Sequence, residues 1–242
     1  MRSSRFGDLR SLLQRPPSDQ NFAELVTLFP DGELSHDEFA YASDLLGRWP
    51  GHIPRTVLDA WIDWESRRFA RACLLCSRLS FTRGKIPMTG IHAIAVSENL
   101  AAITRFGFNH QPINVRDIET LFSSEHLTSL EQVHFDGNFF SDHCMQAMVG
   151  SENTSSIQTL NIVFNELTNA GIRALVQSEH MGSLRELDLR FNKIAYHGAR
   201  ELLEATNLPE LCFVNLMGAD IHPKDRQPLE SLALDRSIDL IL

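Results

Sequence analysis

Residues 183–194 read SLRELDLRFNKI, with apolar side chains at Leu184, Leu187, Leu189 and Ile194 and an asparagine at Asn192. The spacing is too irregular for one helix face and alternates only in its centre, as a strand that then turns away would. Stepping back 27 residues from Leu184 lands on Ile157, which opens IQTLNIVFNEL, and a second step lands on Leu130, which opens LEQVHFDGNFF. Two further steps reach Ile103 (ITRFGFNHQPI) and Cys76 (CSRLSFTRGKI), and one step forward reaches Leu211 (LCFVNLMGADI). Six segments, opening at 76, 103, 130, 157, 184 and 211, thus share one period without an insertion. A fixed period of about 20 to 50 residues marks a solenoid, whose units bury their apolar faces against one another and are not stable alone.

Within each period the pattern is L-x-x-L-x-L-x-x-N-x-L, which resembles the leucine-rich repeat family over about residues 76–242. The asparagine position holds Asn138, Asn165 and Asn192, but Gly84 and Gln111 at one end and Ala219 at the other. The resemblance implies that this asparagine is buried and that its amide satisfies backbone groups where the strand turns away. It also implies an α/β solenoid, with a curved parallel sheet on the concave side and helices on the convex side. The second half of the period repeats too: TNAGIRALV follows Leu167 as AYHGARELL follows Ile194. Gly171 and Gly198 align with Gly90, Asp117 and Cys144, and Leu175 and Leu202 with Ile94, Leu121 and Met148, offsets that share a helix face. SENL, SEHL, SENT and SEHM recur at 97, 124, 151 and 178. A strand and a full helix in about 27 to 29 residues resemble the ribonuclease-inhibitor-like subtype. One further step from Leu211 reaches Ile238, so IDLIL at 238–242 is expected to add a truncated terminal strand, after a helical stretch holding Leu229 and interrupted by Pro223 and Pro228.

Residues 1–75 have no such register and read as a helical N-terminal cap. RFGDLRSLLQR brings Phe6, Leu9, Leu12 and Leu13 to one face, NFAELVTLF makes a short second helix, and Ser35 with Glu38 has the spacing of a capping box for a third, ended by Gly47. After WPGHIP a longer helix is expected from about Arg55, carrying Val57, Leu58, Trp61, Ile62, Phe69 and Cys73. Its segment VLDAWIDWESRRFARA resembles helical segments that precede the repeats in some bacterial leucine-rich repeat proteins. Trp49, Trp61 and Trp64, the chain's three tryptophans, all fall here and are expected to close the open end of the stack rather than dock a partner.

The composition, with 31 acidic and 22 basic residues and a net charge of −9, argues against a nucleic-acid backbone as main partner. Only Arg78, Arg83 and Arg105 speak for one. No apolar run approaches membrane-spanning length, and the N-terminus lacks the apolar core of a signal peptide, so a soluble cytoplasmic protein with no membrane partner is expected. Cys73 and Cys76 form C-x-x-C, but Cys76 takes a leucine position and Cys144 the small helix position, while Cys212 lies beside the last repeat strand. No ordered pair of further ligands follows, so the cysteines read as structural and no metal or cofactor is expected.

Alternation within each strand sends the residues between the leucines outward. One outward column reads Arg78, Arg105, Gln132, Thr159, Glu186, Phe213; the next Ser80, Gly107, His134, Asn161, Asp188, Asn215; the third Thr82, Asn109, Asp136, Val163, Arg190, Met217. Positive charge collects at the N-terminal end, acids and hydrogen-bonding groups in the middle, and Phe213 and Met217 at the C-terminal end. Such a face suits a protein partner held by Arg78, Arg105, His134, Asp136, Asn161, Glu186, Asp188, Arg190, Phe213, Asn215 and Met217. Phe164 and Phe191, just before the asparagines, either fill the strand-to-loop corner or flank the wall. His110, His134, Asp136 and Asp188 are the one cluster with catalytic residue types, but a shallow sheet offers no water-excluding pocket, so the expectation is a non-enzymatic binding module. The alternative is a structural subunit or homo-oligomer that associates through the helical cap or the exposed edge of the terminal strand.

Overall fold

The computed structural model describes residues 2–28, 35–46, 48, 56–57, 62–63, 68–69, 78–82, 88–97, 100–101, 103–110 and 112–242. Three helices open the chain: α1 (Arg2–Leu13), α2 (Asp19–Leu28) and α3 (His36–Leu46). Leu9, Leu12, Leu13, Phe22, Leu25, Ala42 and Leu46 pack inward from them, as the apolar spacing predicts. The Ser35–Glu38 capping box forms: the Ser35 hydroxyl accepts the Glu38 N–H at 3.3 Å, and Glu38 Oε2 accepts the Ser35 N–H at 2.8 Å. Arg5 then grips both oxygens of Glu38, at 3.1 and 3.0 Å, tying α1 to the start of α3. Burial alone would raise the Glu38 carboxyl, but Arg5 and the two Ser35 donors hold it below the ordinary 4.5.

The longer helix expected from Arg55 is not what the described residues make. Thr56–Val57 (β1) is extended, and Ile62–Asp63 (β2) pairs antiparallel with Arg68–Phe69 (β3). Helical periodicity and β-propensity compete in this stretch of Thr, Val, Trp, Ile and Phe, and at these positions extended backbone wins. Trp49, Trp61, Trp64, Cys73, Cys76 and Arg83 lie outside the described residues.

From residue 78 the described residues build the α/β solenoid that the repeated spacing predicts. Strands β4 (Arg78–Thr82), β5 (Arg105–Asn109), β6 (Gln132–His134), β7 (Thr159–Asn161), β8 (Glu186–Asp188) and β9 (Phe213–Asn215) form one parallel sheet in chain order. The pairing Arg78↔Arg105↔Gln132↔Thr159↔Glu186↔Phe213 is the 27-residue register itself. Helices α4 (Met88–Ala95), α5 (Val115–Phe122), α6 (Asp142–Val149), α7 (Asn169–Gln177), α8 (Tyr196–Glu204) and α9 (Arg226–Asp235) cover the other side, burying Ile94, Leu121, Met148, Leu175, Leu202 and Leu229 at one repeated position. One contiguous core runs from Leu9 to Ile238. Cys144 is buried in it, whereas Cys212, expected to be structural, is exposed. Among the described residues no helix is long and apolar enough to cross a membrane.

Two further strands close the sheet. At the N-terminal edge β1 pairs with β4, so the cap region supplies a strand as well as helices. At the C-terminal edge the terminal strand β10 (Asp239–Ile241) pairs with β9, but Asp239 faces Phe213, one residue short of the 27-residue step. The helix leads almost directly into this strand through Ser237, whose φ of 57° makes a tight entry.

Three hydrogen-bond ladders join the repeats. Asn165 Oδ1 accepts the N–H groups of Asn138 and Phe140 at 2.9 and 2.8 Å, while its Nδ2 donates to the carbonyls of Phe135 and Val163 at 2.5 and 3.0 Å. Asn138 and Asn192 are buried and make equivalent bonds, so the asparagines have the role the family resemblance implies. The recurrent SEN/SEH serines form the second ladder: Ser124, Ser151 and Ser178 donate to the carbonyls of Ala95, Phe122 and Val149 at 2.5, 2.6 and 2.6 Å. In the third, Asp142 Oδ1 accepts the N–H of Thr168 at 2.8 Å and of Gly171 at 2.9 Å, and Asn169 Oδ1 accepts that of Ala195 at 2.9 Å. Two repeats thereby lend a side chain to the start of the next helix, Asp142 to α7 and Asn169 to the residue before α8. A Cβ on Gly171 or Gly198 would meet those capping oxygens at 2.6 and 2.4 Å, which accounts for the aligned glycines.

Candidate functional site

Among the described side chains the outward columns stand as the alternation predicts, except that Val163 and Asn215 are buried. On the concave side Gly107, His134, Asn161, Asp188 and Asn215 are paired in sequence, flanked by the Arg105-to-Phe213 column. Arg105, Gln132, His134, Thr159, Asn161, Glu186, Asp188 and Phe213 line one shallow depression of about 270 Å³. Six of the predicted contact residues are thus brought into one place. A larger open groove of about 960 Å³ runs along the loops that enter the strands. Two of its serines are engaged within the fold, Ser155 and Ser156 donating to the carbonyls of Glu152 and Leu130.

The side chains of the depression are held in position by one another. Arg105 Nε lies 3.0 Å from His134 Nε2, and the other ring nitrogen lies 2.8 Å from the Asn161 amide. Arginine can only donate, so Nε2 accepts; a neutral ring then carries its proton on Nδ1, and pairing with it requires the Asn161 amide to turn so that its oxygen replaces the Nδ2 that stands there. His134 is therefore a spacer in a hydrogen-bonded row from Arg105 to Asn161. Next along, Asp188 is gripped by Arg190 at 2.7 Å, while Glu186 stays exposed with only a long contact of 3.4 Å from the Thr159 hydroxyl.

Asp136 stands apart in the third column. Its carboxylate accepts the Val163 N–H at 3.4 Å and makes no ion pair among the described residues. Burial pushes its carboxyl up; the Val163 bond opposes this, the Asp188 charge adds to it, and the charges of His110 and Arg190 oppose it.

The corner where each strand leaves the sheet gives a result that alternation alone does not. His110, Gly137, Phe164, Phe191 and Gly218, each one period apart, all have left-handed backbone, with φ of 57°, 65°, 53°, 56° and 77°. Glycine takes this conformation freely; phenylalanine does so at a cost of about 1–3 kcal/mol. Phe164 and Phe191 do not fill the corner: they are 58% and 39% exposed and stack with centroids 4.2 Å apart. Phe139, also left-handed and 71% exposed, stands nearby in sequence. The sequence signal for this row is the alignment of rings with glycines one period apart.

The remaining predicted residues divide. Met217 is exposed and Phe213 half-buried, and β10 lies beside them in the sheet instead of over them. Asn215 is a correction: it is nearly buried, and its Oδ1 accepts the Met217 N–H at 3.1 Å, so it shapes the strand end and offers little surface. Arg78 pairs with Arg105 through the backbone; its side chain lies outside the described residues. Asp239 and Ile241 were missed. They extend the two columns past Phe213 and Asn215, and the 26-residue final step hid them behind Leu240.

Among known proteins, the Leucine Rich repeat family model matches residues 154–176 and 180–203. A crystal structure of a Bacteroides fragilis protein is similar at 18% identity and a TM-score of 0.43, over 69% of this chain and 41% of that one. A leucine-rich repeat protein of Leptospira interrogans is similar at 13% identity and a TM-score of 0.41, over 73% and 40%. This chain thus spans about two fifths of the length of either. No curated protein matches it in sequence.

Proposed function

We propose that this chain is a non-enzymatic recognition protein that holds a protein partner against its concave sheet, with residues 76–242 as the binding solenoid and residues 1–75 as its cap. The observation that carries the reading is the gathering of Arg105, His134, Asn161, Glu186, Asp188 and Phe213 around one open depression, flanked by exposed Met217 and Ile241. A graded face of cation, amide, carboxylate and apolar groups matches the anchors and rim of a protein interface better than it matches a small-molecule pocket. The family match points the same way, since leucine-rich repeats generally mediate protein–protein contacts. The helix in each repeat supports the ribonuclease-inhibitor-like subtype. A cytoplasmic setting fits the exposed free thiol of Cys212.

The test is affinity capture from native-host lysate with wild type and with Asp188→Lys/Arg190→Glu/Phe213→Ala. A protein kept by wild type and lost by the folded triple variant is the expected result; equal retention by both refutes the concave wall as the interface.

A second reading has its own observation. Strand β10 is paired on one side only, and Ile241 and the adjoining Leu234 are 40% and 78% exposed, so this end can extend the sheet into another chain. Truncation after Arg236 would then reduce the oligomeric mass in light scattering, and an unchanged mass removes the reading.

A further inference from the structure

The corner row carries rings at 110, 164 and 191 and glycine at 137 and 218. His110 and Phe191 lean toward the following repeat. His110 Nδ1 lies 2.6 Å from where a Cβ on Gly137 would stand, and Phe191 Cδ1 lies 2.5 Å from where one on Gly218 would stand. Phe164 in turn stacks on Phe191 with an interplanar angle of 7°. Because residue 137 is glycine, the stack is interrupted there. The His110 and Phe164 rings are two strand spacings apart, roughly 9 to 10 Å. A planar group midway between them stands about 5 Å from each, within the range of about 4.5–7 Å for stacked rings and about 6 Å for a cation over a ring. The greater exposure of Phe164, 58% against 39% for Phe191, is what an uncovered ring face gives.

Charge decides what kind of planar group fits. Asp136 immediately precedes Gly137, and its carboxylate accepts the N–H of Val163, the residue before Phe164, at 3.4 Å. It therefore sits at the mouth of the slot. Arg190, whose charge acts on Asp136, is committed to Asp188 at 2.7 Å. A guanidinium is flat, stacks on rings and pairs with a carboxylate; an ammonium has no plane, and an aromatic ring would leave Asp136 unused.

We propose that the slot between His110 and Phe164, opened by the absence of a ring at Gly137 and fronted by Asp136, receives an arginine side chain of the protein partner. The proposal rests on the concave wall being a protein-binding face. It makes the left-handed phenylalanine at 164 a recognition device, since the glycine found at 137 and 218 would serve the backbone at lower cost.

The test uses the full chain and N-acetyl-arginine methylamide as probe, with the equivalent lysine and citrulline compounds beside it, followed by NMR of the His110 and Phe164 rings. The arginine probe is expected to give saturable shifts with at least five-fold tighter apparent binding than lysine, and citrulline none. Phe164→Leu abolishes the shifts and Asp136→Asn weakens binding about five-fold, while Phe139→Ala, outside the row, leaves it unchanged. Lysine, citrulline or a blocked phenylalanine matching arginine overturns the proposal, as do shifts that survive Phe164→Leu. The probe binds without any partner, and the triple variant of the capture experiment leaves His110, Asp136, Gly137 and Phe164 intact. Failure of the slot and failure of the concave-wall reading are therefore separate results.

Discussion

Between residues 130 and 204 the three ladders pass from repeat to repeat, whereas between 205 and 242 none of them continues. The serine position becomes Ala205, the asparagine position Ala219, and the helix-capping position of Asp142 and Asn169 becomes Tyr196. The end segment keeps one earlier device, Asn207 donating to the Ser178 carbonyl as Asn153 does to that of Ser124, and otherwise satisfies its backbone by other means. Arg236 donates to the carbonyls of Leu203 and Leu208 at 3.1 and 3.0 Å, and His222 Nδ1 accepts the Lys224 N–H at 3.2 Å in the turn before α9. Buried backbone groups must find partners in either region. A repeat with neighbours on both sides solves this once and copies the answer; a terminal repeat has lost one neighbour and needs a solution of its own.

The comparison is sharpest at the asparagine position. Asn165→Ala leaves the buried N–H groups of Asn138 and Phe140 and the carbonyl of Phe135 without their partner, the Val163 carbonyl keeping the Gly137 N–H, and is expected to cost about 3–5 kcal/mol in urea unfolding, while the converse Ala219→Asn changes stability by less than about 0.5 kcal/mol. Equal effects at the two ends would dissolve the distinction. Asp142→Ala removes the cap that one repeat lends to the next and is expected to cost about 2 kcal/mol. Its hydrogen-exchange signature is faster exchange at Thr168 and Gly171. Arg236→Ala is smaller, about 1–2 kcal/mol, and local: amide exchange should rise in α9 and β10 and stay unchanged in α6 and α7.

The smallest effect concerns the N-terminal helices and depends on pH. The folded-state pKa of Glu38 lies below its unfolded value, so its contribution is present above about 4.5 and is lost as pH falls through the folded value. Glu38→Gln should therefore reduce stability at pH 7 and converge with wild type in acid. A constant difference across the titration would show that the Arg5 pair is not the cause.

How much was legible in the sequence follows the same division. An uninterrupted period fixed the sheet register from Arg78 to Phe213, the inward leucines and the outward columns, because each is a consequence of one repeated spacing. The final strand was legible only as to its existence: its step is 26 residues, and nothing in IDLIL marks the lost residue. The expected helix from Arg55 failed where apolar periodicity met β-branched and aromatic residues without a repeat to arbitrate. Within the site, Arg105, His134, Glu186 and Phe213 were placed correctly by alternation, but Asn215 was not, since an amide can satisfy its own strand end as easily as face solvent. The exposure of Phe164 and Phe191 was undecidable from pattern, because a ring at a corner can turn either way.

Inward groups repeat and hold the fold; outward groups vary and are assigned to recognition. That separation is tested most directly by measuring two quantities on the same triple variant, Asp188→Lys/Arg190→Glu/Phe213→Ala: its urea midpoint and its retention of the captured partner. The account predicts a midpoint close to wild type together with loss of the partner. A partner retained at the wild-type level by the folded variant would contradict it.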